Sequence, residues 1–101
     1  MNKEIENSSI ILKVGGITNP GSLKTAIIGH LRDGKTVHAV SVGVAAVYVT
    51  TKAIILVRGH MEMINRKLNY DCYYEDVLID DPTSPNEKRQ KTAIRWTMTM
   101  E

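Results

Sequence analysis

The chain has 101 residues, 43% hydrophobic and 24% charged, which fits one soluble domain with one core and argues against chain-wide disorder. Its 13 Lys and Arg against 11 Asp and Glu leave a net charge of +2, too little for a histone-like polycation. The single cysteine, Cys72, excludes an internal disulfide and is too few for a structural zinc site, which points to a reduced, cytoplasmic protein.

Residues 1–9 are polar and carry Glu4 and Glu6 where a signal peptide needs an apolar run, so they read as a flexible tail. Residues 10–101 form the single domain. Ile10 to Val14 reads IILKV, a buried strand ended by Gly15-Gly16. After a loop over Ile17 to Pro20, a first helix begins near Gly21 or Ser22, with Ser22 as its N-cap. Leu23, Ala26, Ile27 and Leu31 share its apolar side, and Gly34 stops it. Val37 to Val42 is a valine-rich central strand ended by Gly43.

Val44 to His60 reads as a second helix, closed by Gly59 and apolar nearly all round. Such a helix needs cover on every side, and one sheet covers one face. The rest needs a neighbouring helix, a second subunit, or both; if a face stays uncovered, a homodimer is expected, with Val47, Thr51, Ile54 and Arg58 as its candidate interface residues. The longest apolar stretch, Ala39 to Val49, is interrupted by Ser41 and Gly43 and is too short for a bilayer, so no membrane association is expected.

Leu68 to Tyr74 alternates as a strand with Cys72 on its inward face, a small core residue. Residues 80–91, DDPTSPNEKRQK, lack any apolar side chain and read as a long hairpin loop. Thr92 to Met100 is the last strand, with Ile94, Trp96, Met98 and Met100 on one face. The order β-α-β-α-β-β predicts an α/β two-layer sandwich: a mixed four-stranded sheet with two helices on one face.

Charge is unevenly spread. Ile10 to His60 holds six bases and one acid, a net +5, whereas Met61 to Glu101 holds six bases and eight acids, a net −2. No catalytic or metal constellation appears among His30, His38, His60 and Cys72, so neither an enzyme nor a cofactor is expected. Two patterns remain. The segment GGITNPGSLK leads from a strand into a helix, where backbone N–H groups, Asn19, Ser22 and Lys24 could receive a phosphate. A plain strand-to-helix turn with an N-cap explains the same residues. The basic cluster Lys88, Arg89 and Lys91 sits in the hairpin, beside the acids Asp80 and Asp81.

The sequence resembles the stage V sporulation protein S family. The matching residues are Leu12 to Val14, Pro20, Gly29 with Leu31-Arg32, Gly43, Lys52 to Ile54, Arg58-Gly59 and Thr92 to Ile94. The resemblance implies an Alba-like fold, similar also to the C-terminal domain of translation initiation factor three. Alba-like proteins are small dimeric binders of DNA or RNA. The resemblance therefore implies a nucleic-acid partner held with low sequence selectivity, contacted by Thr18, Asn19 and Pro20 in the loop and by Lys88, Arg89 and Lys91 in the arm. Alba proteins usually place a basic residue directly before the loop proline, where this chain has Asn19. The other reading left open is a non-enzymatic protein-interaction module in sporulation or developmental control.

Overall fold

The computed structural model describes residues 8–81 and 83–101. Six elements follow in the expected order: β1 (Ser9–Val14), α1 (Pro20–Arg32), β2 (Thr36–Ser41), α2 (Val44–Met63), β3 (Leu68–Asp81) and β4 (Ser84–Met100). The sheet order is β1-β2-β4-β3, with β1 and β2 parallel and β4 antiparallel to both of its neighbours. Of the expected 1–9 tail, residues 1–7 lie outside the described residues, and Ser9 already pairs with Thr36 in the sheet.

Alternation along the strands sets the core. Val37, Ala39 and Ser41 of β2 and Met98 of β4 turn to the helices and are buried, with Ile10, Leu12 and Val14 beside them on β1. The helices close this face with Leu23, Ile27, Ile28 and Leu31 from α1 and Ala53, Ile54, Val57 and Met61 from α2. Burial of each large aliphatic side chain contributes about 1.5–3 kcal/mol. Of the apolar set expected on α1, Ala26 is exposed and Ile28 takes its place, because α1 lies against both the sheet and α2.

Three boundaries differ from expectation. The N-cap of α1 is Asn19, three residues before Ser22: Pro20 occupies the first turn, where its fixed φ and missing N–H cost nothing. Gly59 does not close α2, which runs on to Met63 and ends before Asn65, a residue in the left-handed region at φ 58°. The expected 80–91 loop is instead a continuation of the sheet. Asp80 pairs with Lys88, Ile79 with Arg89 and Val77 with Lys91, so β3 and β4 leave the sheet together as a two-stranded ribbon. Both faces of a ribbon meet solvent, so its strands need no hydrophobic alternation.

Cys72 is exposed, contrary to its expected place in the core. It does share a face with Tyr70 and Tyr74, but β3 is an edge strand that the helices reach only sparsely. Thr50, fully buried on α2, donates its hydroxyl to the Ala46 carbonyl at 2.8 Å, which removes the cost of an unpaired polar group. With 20 residues α2 is long and apolar enough to cross a membrane by composition, yet its buried residues pack as the core helix of this fold.

Candidate nucleic-acid interface

The four strands are in step at one end of the sheet: Val14 pairs with Ser41, Ser41 with Ile94, and Ile94 with Tyr74. Just beyond lie the β1–α1 loop, the N-termini of both helices and the root of the ribbon. In open α/β sheets this crevice, outside the carboxyl ends of the parallel strands, is the usual place for ligands.

The loop is a tight turn. Thr18 N–H donates to the Gly15 carbonyl at 3.1 Å, and Gly15 N–H donates to Thr18 Oγ1 at 3.2 Å. Gly16 packs so closely on α2 that a Cβ there would stand 2.9 Å from the Cβ of Ala45. Asn19 Oδ1 accepts from the backbone N–H of Gly21 at 2.8 Å and of Ser22 at 3.1 Å. Together with Pro20, this cap leaves the start of α1 with few free donors, so the predicted phosphate seat on α1 is already filled by the chain's own side chain. Gly43, the N-cap residue of α2, supplies no side-chain cap and has φ 91°, a conformation suited to glycine. The uncapped N-terminus beside the loop is therefore that of α2. Lys24 lies one turn into α1, half-buried, and forms no ion pair among the described residues.

The ribbon is less cationic than its cluster of bases implies. Lys88 Nζ stands 2.7 Å from Asp80 Oδ1, and this hydrogen bond holds the Asp80 carboxyl below its ordinary range. Arg89 approaches Asp81 only to 3.9 Å. Asp81 is held low mainly by Thr83, whose backbone N–H and hydroxyl both donate to Oδ1, so its tie to Arg89 is loose. Lys91 is exposed and without an ion pair among the described residues. From Glu75 to Arg95 five acids oppose four bases, leaving the segment at −1.

The expected dimer residues are divided. Val47 and Thr51 are half-buried and Arg58 is exposed, reaching Glu62 at 3.7 Å. Ile54 is only 3% exposed and belongs to the protein's own core, so it is unavailable to a partner. The neighbour Ile55, 64% exposed, instead joins Val44, Tyr48 and Met63 on the open side of α2. Between this side and the uncovered edge of the sheet lies an apolar trough, an open hollow of ≈ 510 Å³ across which Val44, Val47 and Tyr48 face Tyr74 and Ile94. A second, separate hollow near the C-terminal end of α2 is mostly charged, with Arg58, Glu62, Arg66 and Lys67 beside Leu68 and Tyr70. Tyr74 was hidden from sequence reasoning because alternation alone placed it in the core; it is 78% exposed.

A family model for the stage V sporulation protein S (SpoVS) matches residues 10–101. The chain belongs to the stage V sporulation protein S family. Its fold is that of Alba proteins: the structure of Alba from Thermoplasma volcanium superposes with a TM-score of 0.64, at 11% sequence identity, covering 89% of this chain and 99% of that one. No curated protein sequence gives a significant match. The chain is thus a sporulation-family protein of Alba-like fold, and the mixed sheet with its two helices follows that pattern.

Proposed function

We propose that this SpoVS-family protein is a homodimer that binds DNA or RNA through the phosphate backbone, with low sequence selectivity. The observation that carries the reading is the convergence at one sheet end of the β1–α1 loop and the uncapped N-terminus of α2, within a half of the chain that bears +5. A helix N-terminus carries partial positive charge and free N–H donors, and lysines add long-range attraction for a polyanion. In this reading Thr18, Lys24 and Lys91 supply contacts, Asn19 and Pro20 shape the loop, and Lys88 contributes less because Asp80 already pairs with it, whereas Arg89 is tied only loosely to Asp81. The trough between α2 and β3 supports self-association, since apolar surface of this kind favours burial.

A second reading, a protein-interaction module, is favoured by one observation: the ribbon's paired charges and its net −1. Fluorescence anisotropy with labelled duplex DNA and single-stranded RNA at low and high salt distinguishes the two. Salt-sensitive binding to either supports the first reading. Absence of binding at low salt rejects it and leaves the second. Light scattering at micromolar concentration tests the dimer separately, and a monomer there removes the trough from the mechanism.

A further inference from the structure

The face of the sheet opposite the helices has its own feature. β3 lies three strands from β1, and Val77 stands six residues beyond Asp71, the position in register with Ile11, so in a flat sheet the two would be about 25 Å apart at ~4.8 Å between strands and ~3.4 Å per residue. Instead Val77 and Ile79 of the ribbon border the same hollow as Ile11 and Val40, because the two-stranded ribbon coils over the open face once it passes the end of β2. The hollow measures ≈ 270 Å³.

Its walls are mostly aliphatic, with Lys13, Glu75 and Arg95 as the charged members. Arg95 donates from Nη2 to Glu75 Oε2 at 2.8 Å. Its Nε is buried and has no hydrogen-bond partner among the described residues. Lys13 forms no ion pair among them either. The hollow therefore holds two cations against one carboxylate, and one buried donor lacks an acceptor. A neutral apolar ligand would leave that donor unmet, and a further cation would be repelled.

We propose that the hollow binds a small carboxylic acid with a compact apolar body. The carboxylate accepts from Arg95 Nε and Lys13 Nζ, and the body lies against Val40, Val77 and Ile79. This site is separated from the trough by the thickness of the sheet, and its ligand is neither nucleic acid nor a second subunit.

The test is a ¹H–¹⁵N correlation titration of the full chain with cyclohexanecarboxylate, and with cyclohexanecarboxamide as the uncharged counterpart. Saturable shifts are expected at Ile11 to Lys13, Val40 to Val42, Glu75 to Ile79 and Arg95, in the millimolar range. The carboxamide should bind at least about fivefold more weakly, since charge-assisted hydrogen bonds are the stronger kind. Lys13→Gln, at an exposed position that leaves the core intact, should weaken the carboxylate by a similar factor and leave the carboxamide unchanged. No saturable shift in that range, equal affinity for the two probes, or shifts centred on Tyr48 and Tyr74 would each overturn the proposal. So would tighter binding of a short peptide with a free C-terminal carboxylate, which would assign the hollow to a partner chain's end. No nucleic acid is present in the titration, so its failure leaves the proposed function standing, and the reverse holds.

Discussion

Replacing Asp80 and Asp81 with Asn isolates the part the ribbon plays. The double substitution moves the segment from Glu75 to Arg95 from its present −1 to +1 and frees Lys88 and Arg89. Thr83 keeps an acceptor, since the amide carbonyl of the substituted side chain can stand where Asp81 Oδ1 accepts from it now. Three of the four ion-pair groups are largely exposed, so the fold should hold, which circular dichroism verifies. If each freed cation gains one phosphate on duplex DNA, the slope of log K against log salt steepens by about 0.9 per contact, or about 1.8 per subunit. Between about 50 and 200 mM salt, that is an additional affinity loss of about tenfold per subunit, on top of the parent protein's own. Anisotropy titrations at four or more salt concentrations read this directly. An unchanged slope and unchanged affinity would refute the idea that the ribbon touches nucleic acid at all, and would confine contact to the loop and helices.

Adjacent isoleucines on α2 should behave oppositely. Ile55→Lys should give a folded monomer by light scattering with little change in melting temperature, whereas Ile54→Ala should cost about 2–5 kcal/mol in denaturant unfolding, because Ile54 is part of the core. Asn19→Ala removes the only side-chain cap of α1 and should cost about 1 kcal/mol in the same assay. His38 is held below the ordinary imidazole value of 6.5, first by burial and then by Arg95, with Glu75 opposing. The unfolded chain then binds the proton more readily, so stability is full above pH 6.5 and falls as pH drops from there towards the folded value. His38→Gln should flatten the melting-temperature profile over that interval, and an unaltered profile would assign the slope to other groups.

The order of elements was legible because most carry a local signature: a β-rich apolar run in IILKV, alternation in VHAVSV, and a four-residue spacing of Leu23, Ile27 and Leu31. Where a segment has no preferred face, the reading stops. Residues 84–91 are polar because both faces of the ribbon meet water, and polarity without period reads as loop. α2 is apolar on every side, so no period separates Ile54, which is buried, from Ile55, which is not. Cys72 and Tyr74 alternate correctly, but alternation cannot say that β3 lies at an edge, since strand order depends on pairings remote in sequence. The capping of α1 turned on Asn19 preceding Pro20, a pair whose preference for a helix start competes with its equal preference for a turn. The open-face hollow depends on the coil of the ribbon, which no local pattern encodes.

The charges of the ribbon have a structural task that bears on their availability. Beyond Ser41 and Ile94, β3 and β4 have no third strand, and hydrophobic pattern no longer fixes their register. What remains is polar and cross-strand: Thr92 to Asp76 at 3.4 Å and Lys88 to Asp80 at 2.7 Å directly opposite, and Arg95 to Glu75 at 2.8 Å on the diagonal. A slip of two residues keeps every side chain on its face yet sets Asp80 against Gln90 or Asn86, and the pairing is lost. Lys88 and Arg95 are thus committed to holding the ribbon in register before any polyanion arrives, and a phosphate must compete with a carboxylate already in place. The cations outside the ribbon and the open-face hollow, Lys24, Lys35 and Lys52, have no such commitment among the described residues. For equal exposure they are the better phosphate ligands, which is why binding by this chain should depend more on the β1–α1–β2–α2 half than on the arm that its sequence first brings to notice.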